Sequence, residues 1–388
     1  MQFRKDLANT RLAKHVKRTD RMVKQDEIKV KVITNPDKTI EVDWNELVSQ
    51  SCENPFLLHG FVLQIMKSSY LNDYSGLILV FSHEEKIIGI APLMERKRFG
   101  VRDVKFTNKF VYSPDLIVDD NNRQILISLV LNFLFKNLNC KFVEFTLPIE
   151  SPTLNILKEQ CKDRGINFKV AYEMGHRILP VGCSWNEFQS LRGKNFRQQF
   201  RKAEKKLDLA GPWKTVSVFD NEGTGVIERI LDVERRSWKD TWRNKKGDYV
   251  DEDLVNILYA SQITAKNEPA FKWKVWFLEL NDQAIAYLLV LHYKNKAYLT
   301  KTSYDEKYRK FYPGQFLRKS VISDLFNEGQ TNTIDFLTDL PHHQTWTSIC
   351  KHRATITMTK GVIPNFVHST FGNEFLISSQ KWSLKRFF

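Results

Sequence analysis

The apolar positions of this chain change period several times, and each change marks an element. WNELVSQS from Trp44 and PFLLHGFVLQIMKSS after it carry helical spacing. LILVFSHEEKIIGIAPLME then reads as two β-rich runs around a polar turn at residues 83–85, a hairpin. VRDVKFT predicts another strand, residues 119–138 a helix with Ile125, Leu129 and Phe133 on one face, and KFVEFTLPI a further strand. SPTLNILKEQCKDRG predicts a helix with Ser151 as N-cap, Pro152 at its first position and Gly165 past its end.

The second half runs through the same order. SWNEFQSLRGKNFRQQFRKAEKKL predicts a basic helical stretch, and residues 226–243 and 251–264 predict two more helices. WKVWFLELNDQAIAYLLVLHYKNKAYLTKTSY reads as a three-stranded meander with turns at Asn281-Asp282 and Lys294-Asn295. A loop with a Pro-Gly step, an amphipathic helix and the strand TIDFL close the series. Helices, hairpin, strand, helix and strand thus recur at an offset of roughly 190 residues, as pattern and not as matching sequence. The predicted fold class is α+β, mixed sheets with flanking helices in two tandem domains. The expected boundaries are a basic arm over 1–40, a first domain over 41–180, a second over 181–360 and an extension over 361–388.

Charge changes this picture more than composition does. A hydrophobic fraction of 42% with 27% charged residues is that of an ordinary globular chain. The formal net charge of +14 points to an anionic partner: nucleic acid, a membrane surface or a phosphorylated substrate. Its dense places are residues 4–24, 192–206 and 301–319. The first is read either as a membrane-surface or nucleic-acid arm or as a solvated helix. Five scattered cysteines with no CxxC pair fit a reducing compartment and exclude a ribbon-type zinc site. The longest apolar run, ILISLVLNFLF, is too short to span a bilayer, so the expectation is a cytoplasmic protein.

The Pro-Gly loop is the strongest candidate for chemistry. It lies in YDEKYRKFYPGQFLRKS, between a strand ending near Tyr304 and a helix starting near Gln315. Free N–H groups and the helix dipole make such a junction an anion site. Pro313 has no N–H, so a cradle there must use Gly314, Gln315, Phe316 and Leu317, with Arg309, Lys310 and Arg318 adding charge.

The order hairpin, strand, loop, helix, strand resembles the GNAT acyltransferase superfamily, whose pyrophosphate loop reads Q/R-x-x-G-x-G/A. Arg309-x-x-Tyr312-x-Gly314 matches it at the ends and departs at Tyr312. The chain looks most like the CelD-like, envelope-biosynthesis branch of two-domain GNAT proteins, related to FemABX-type transferases. The pieces that carry the resemblance are Tyr304-Asp305, Tyr308, Pro313-Gly314 and Leu317, with NPFLLHGFV, IIGIAPL, SWNEFQSL, KNFRQQFRKAEKKL, ERRSW and DFLTDLPHHQTW in order. They span roughly residues 44–350.

The resemblance implies an acyl-CoA donor, acetyl or longer, held by Arg309, Lys310, Tyr312, Gly314, Gln315, Phe316 and Leu317. Lys301 and Lys310 stand near the adenosine 3′-phosphate in that reading. An amine or hydroxyl acceptor attacks the thioester directly, and N–H groups of the AYLTKTS strand meet the oxyanion. The first domain is acidic at the matching place, YSPDLIVDDNNRQ, which assigns the donor to the second. After DFL the family shows a Gly and a Tyr-Lys pair, whereas this chain has Asp339 and His342-His343. Asp335, Asp339, His342 and His343 are therefore the candidates for the general base; either they serve so, or Asp335 caps locally and the histidines form a surface turn. Glu234 and Trp238 border the acceptor cleft in this reading, and no metal is expected.

Three partner readings follow. The first is a small-molecule, glycan or envelope-precursor acceptor, without specific DNA and with peripheral membrane contact through the basic N-terminus. The rivals are a FemABX-like enzyme taking its acyl group from aminoacyl-tRNA, and a binding module on a degenerate GNAT scaffold.

Overall fold

The computed structural model describes residues 24–67, 74–98, 101–106, 114–219, 225–237, 239 and 252–361. Most of the predicted N-terminal arm, Trp238 and nearly all of the C-terminal extension lie outside these residues.

The first half contains β1 (Lys29–Ile33), α1 (Glu41–Ser51), α2 (His59–Lys67), β2 (Ser75–His83), β3 (Lys86–Arg98) and β4 (Val101–Phe106). It continues with β5 (Ile117–Val118), α3 (Asp120–Asn132), β6 (Phe142–Pro148), α4 (Pro152–Asp163) and β7 (Asn167–Pro180). The predicted hairpin is β2–β3, turning through Glu84 and Glu85 at φ 47° and 65°. Lys29 on β1 caps that turn through an ion pair to Glu85 at 2.8 Å. β1 lies inside the stretch read from sequence as an arm, and pairs with β2 as an edge strand. Ser151 caps α4 as expected, accepting from the Thr153 N–H, and Gly165 follows at φ 62°.

The second half begins with α5 (Trp185–Ser190) and α6 (Lys194–Ala210). The stretch read as one basic helical run is thus two helices, parted at Gly193, which precedes α6 in extended conformation. Then come β8 (Trp213–Phe219), α7 (Val226–Arg235), α8 (Glu252–Asn267), β9 (Phe271–Leu280), β10 (Gln283–Tyr293) and β11 (Lys296–Tyr304). α9 (Pro313–Glu328), β12 (Thr333–Asp335), α10 (Pro341–Gln344) and β13 (Cys350–Thr359) complete it. The meander turns at Asn281-Asp282 (φ 51° and 59°) and Lys294 (φ 54°), as the polar breaks predict.

Both halves share one topology. β2, β3 and β4 run antiparallel and β6 returns parallel to β4 over three pairs, Asp103↔Phe142 to Lys105↔Glu144. β9, β10 and β11 do the same, and β12 returns parallel to β11 over three pairs, Lys296↔Thr333 to Tyr298↔Asp335. Each parallel return needs a crossover, supplied by α3 and α9. The halves are also joined: β13, late in the chain, pairs with β6 on one side and β7 on the other. The last residues of β7 cross to β12, which makes the strands one path from β1 to β8.

Three apolar clusters follow from this layering. One, with Phe106, Val130, Leu131 and Phe145, lies between the first sheet and α3 and α4. Another, with Phe200, Leu207, Phe316 and Trp346, lies between the second sheet and α5, α6 and α9. The third belongs to both halves: Trp44, Phe56 and Phe61 from α1 and its neighbours meet Trp273, Phe277, Tyr287 and Tyr298 from β9–β11. Fully burying aromatic rings of this size contributes roughly 1.5–3 kcal/mol each, so the inter-half cluster holds the two sheets as one body.

Candidate active site

The residues that build the site are set by how β11 ends. Beyond Tyr298↔Asp335 no further β11–β12 pair forms, so the edge of β11 from Leu299 to Tyr304 is released from β12. On its other edge β11 stays paired with β10, and the register slips at Leu289/Val290, where Thr300 is the extra residue. A bulge there re-aims the main chain at the start of the opening. The Thr300 and Thr302 hydroxyls donate to the carbonyls of Leu289 and Tyr287 at 2.9 and 2.8 Å, fixing the strand on β10.

Asp305 closes the strand and starts the loop. Its carboxylate accepts from the Lys307 N–H at 3.0 Å and is ion-paired with Arg236, whose guanidinium also reaches Asp232 at 2.7 Å. The Glu306 N–H donates to the Arg236 carbonyl at 3.0 Å. Two motifs far apart in sequence, ERRSW and YDEKY, are thereby bolted together. A 3-10 turn, Glu306–Phe311, leads to Tyr312, which adopts φ 54° and ψ 45°. That left-handed conformation is one glycine takes freely and other L-residues take at a cost of roughly 1–2 kcal/mol. Tyr312 therefore holds the backbone shape for which the superfamily motif places glycine. It is 53% exposed, with the Lys206 ammonium 4.8 Å from its ring.

The first turn of α9 offers fewer donors than its sequence suggests. Pro313 has no N–H, and the N–H groups of Gln315 and Phe316 both donate to the Tyr312 carbonyl, at 3.1 and 3.0 Å. Leu317 lies within the helical ladder, which leaves the Gly314 N–H as the donor of that turn with no protein acceptor among the described residues. A Cβ on Gly314 would sit 3.3 Å from the Tyr304 ring, a close but passable contact. Arg309 is paired with Glu306 at 3.2 Å, and Lys310 is exposed with its carbonyl bonded to Lys206 Nζ at 3.0 Å. One turn into α9, Arg318 has no carboxylate partner among the described residues, and burial pulls its pKa down to about 10.

The histidine pair is brought against Arg318. His342 and His343 sit edge to face with centroids 4.3 Å apart, and His343 stacks on Phe336 at 4.8 Å. His343 Nδ1 lies 3.1 Å from both the Thr338 carbonyl and hydroxyl. Burial, reinforced by Arg318, pushes His342 down to about 4 and His343 to about 2, so both rings are neutral.

Asp335 faces the other way. Its neighbours Ile334 and Phe336 belong to the α9 side of the sheet, so strand alternation turns Asp335 to the inter-half side. One oxygen accepts from the Leu337 N–H at 2.7 Å, and the other lies 3.4 Å from His176 Nε2. Burial raises this carboxyl to about 7 and lowers His176 to about 4. His176 had no place among the sequence candidates; it pairs with Lys351 where β7 and β13 pack tightly, since a Cβ on its neighbour Gly175 would fall 2.0 Å from the Lys351 carbonyl. That glycine was the one available signal. Asp339 stands apart from this pair, bonded to Arg177 Nε at 2.5 Å and Gln344 at 3.2 Å. Burial acts to raise it, but those hydrogen bonds prevail and hold it below the usual carboxylate range.

Glu234 is 1% exposed. Its oxygens accept from Lys239 Nζ and the Tyr287 hydroxyl, each at 2.9 Å, so the carboxylate is engaged inside the protein. Lys239 also lies 3.4 Å from the Thr302 carbonyl, at the released edge of β11. Trp238 is outside the described residues. Among the described residues no group of His, Cys, Asp and Glu could hold a metal ion.

Residues 194–345, which carry the meander, the loop and the released strand, match the acetyltransferase (GNAT) domain model. Over this stretch the chain is similar to GNAT-superfamily acetyltransferases. Solved structures extend the likeness to the whole GNAT-like pair. FemX superposes with a TM-score of 0.55 at 11% identity, over 88% of this chain and 99% of FemX. A conserved protein of unknown function from Bacteroides thetaiotaomicron VPI-5482 gives 0.52 at 11%, over 86% and 100%. The C-terminal domain (DUF2156) of a putative lysylphosphatidylglycerol synthetase from Agrobacterium fabrum gives 0.51 at 10%, over 83% and 92%. At such identities these show a shared fold of two GNAT-like halves. No curated protein sequence matches the chain.

Proposed function

We propose that this GNAT-type protein transfers an acyl group from acyl-CoA to an amine or hydroxyl acceptor. The observation that carries the reading is the opening between β11 and β12, with a bulge at Thr300 at its throat and the Gly314 N–H of α9 at its mouth. The pantetheine arm enters between the strands, and the pyrophosphate rests on the Gly314 N–H with Arg318 beside it. The acceptor comes from the inter-half side, where Asp335 and His176 lie. Its nucleophile attacks the thioester carbonyl, an N–H of the released β11 edge takes the developing oxyanion, and Asp335 accepts the acceptor's proton. The C–S bond then breaks and CoA leaves as thiolate, which takes a proton from solvent. A carboxyl near pH 7 is half ionised, which suits it to accept and return a proton.

His343 fits the base role less well. With its pKa near 2 it takes a proton only weakly, and its Nδ1 is engaged by Thr338. Glu234 serves this site through Lys239, which it orients toward the β11 edge.

A charged-tRNA donor is the competing reading, drawn from the +14 charge. Native mass spectrometry of the purified protein, with thermal shift on adding acetyl-CoA and longer acyl-CoA, separates the two. Bound CoA and a rise in Tm support the acyl-CoA reading. Co-purifying RNA whose binding falls steeply with salt overturns it.

A further inference from the structure

The outward face of α6 has no part in the chemistry above. Its inward face, Phe200, Ala203 and Leu207, is buried in the α9-side core. Opposite it stand Lys194, Arg201, Lys202 and Lys205, all exposed and without a carboxylate at ion-pair distance among the described residues. Leu209 lies four residues beyond Lys205 and seven beyond Lys202, on the same face, and is 89% exposed. Leu191, in the turn before α6, is 81% exposed. Basic residues left unpaired at this density seek an anionic surface. A leucine set among them gains nothing from a polyphosphate backbone, but gains from the apolar layer beneath lipid headgroups.

We infer that the outward face of α6 is a docking surface for an anionic lipid bilayer, with Leu209 and Leu191 entering the headgroup boundary between the basic side chains. The Lys206 ammonium ties α6 to the Lys310 carbonyl, so a docked helix holds the mouth of the β11–β12 opening near the membrane plane. This surface stands independently of the acyl-transfer reading.

The test is co-sedimentation of the full chain with phosphatidylglycerol-containing vesicles and with pure phosphatidylcholine vesicles. The expected result is partitioning that requires the anionic lipid and weakens with salt. Lys202→Glu with Lys205→Glu lowers it at least about thirtyfold, from about 1 kcal/mol per basic residue near the surface. Leu209→Ser lowers vesicle partitioning several-fold and leaves binding to a duplex RNA unchanged. Each substituted side chain is exposed, and an unchanged thermal melt verifies folding. Equal binding to both vesicle types, or vesicle binding untouched by the α6 variants, overturns the proposal. RNA that displaces the vesicles, with Leu209→Ser indistinguishable from the parent, also overturns it and assigns the face to nucleic acid.

Discussion

The two crossover helices, α3 and α9, occupy equivalent places and treat their positive ends in opposite ways. Asp119 caps α3 with its own carboxylate, accepting from the Asn122 N–H at 2.9 Å. Arg123, one turn in, is consumed by Asp120, Thr153 and the Val118 carbonyl at 2.9–3.1 Å. At α9 the cap is Tyr312, whose side chain makes no capping hydrogen bond, and Arg318 has no carboxylate partner among the described residues. The first half thus satisfies the positive end of its helix internally, while the second leaves the Gly314 N–H and Arg318 without a carboxylate among the described residues. The strand partners differ in the same sense: the third parallel pair is Lys105↔Glu144 in the first half and Tyr298↔Asp335 in the second. One carboxylate faces an ammonium in register, and the other a phenol. On the acyl-transfer reading proposed above, this is how a duplicated fold keeps a single site: one copy neutralises its own charges.

The comparison is tested most strongly at the third parallel pair. Asp335→Asn lowers kcat by about 10²–10⁴-fold, the range of a lost general base, whereas Glu144→Gln leaves kcat within a factor of two or so; steady-state kinetics compares them. The same variant has a stability signature. A carboxyl raised from 3.8 to about 7 in the folded protein binds its proton more tightly there than in the unfolded chain. Stability therefore falls as pH rises from about 4 to 7, and Asn removes that loss by up to roughly 4 kcal/mol above pH 7. Urea melts at pH 4 and pH 8 should show Asp335→Asn neutral at the first and stabilising at the second.

Next in size is the cap exchange. Tyr312→Asp gives α9 the internal carboxylate that α3 has, in a conformation Asp tolerates. It should weaken CoA binding by about thirtyfold, roughly 2 kcal/mol, without lowering Tm; calorimetry with CoA reads the first and a thermal melt the second. An unchanged CoA affinity would remove the loop from the donor site. A third expectation concerns acid. His176, His292, His342 and His343 are all held neutral by burial. Their stabilisation is complete above the unfolded pKa near 6.5 and is lost as pH falls below it toward 4. Melts between pH 7 and 5 should show a steady decline, lessened by His292→Gln with activity retained. The smallest effect is Asp119→Ala, which removes a cap worth about 1 kcal/mol and leaves transfer unchanged.

Much of the architecture was legible because it is written in local signals. Both meanders, their polar turns and the cap of α4 come from patterns within a dozen residues. β7 and β13 were not legible: NFKVAYEMGHRILP and CKHRATITMT interleave charges with apolar residues, and each gains its strand identity from the other across the sheet. The loop, with the helix after it, was legible because Pro313-Gly314 is a local signal. Its true donor count was hidden, since the Tyr312 carbonyl takes two of the N–H groups. Asp335 was named from a motif, but the His176 that lies against it comes from a strand some 160 residues earlier, with no sequence signal linking the two. The acidic start of α3, by contrast, was visible in sequence, and the Asp119 cap and the Asp120 pair to Arg123 are what it forms.

The position of β13 bears on how the protein is made. Val143 to Leu147 of β6 find one of their two neighbours only in residues 354–358, so the first sheet stays open along that edge until those residues have been synthesised. A ribosome-bound chain ending near residue 180 would carry an unsatisfied strand edge, the kind that recruits other chains. Expressed alone, the first half should aggregate or dimerise. Supplying residues 346–361 in trans should rescue it, as a peptide completing the sheet.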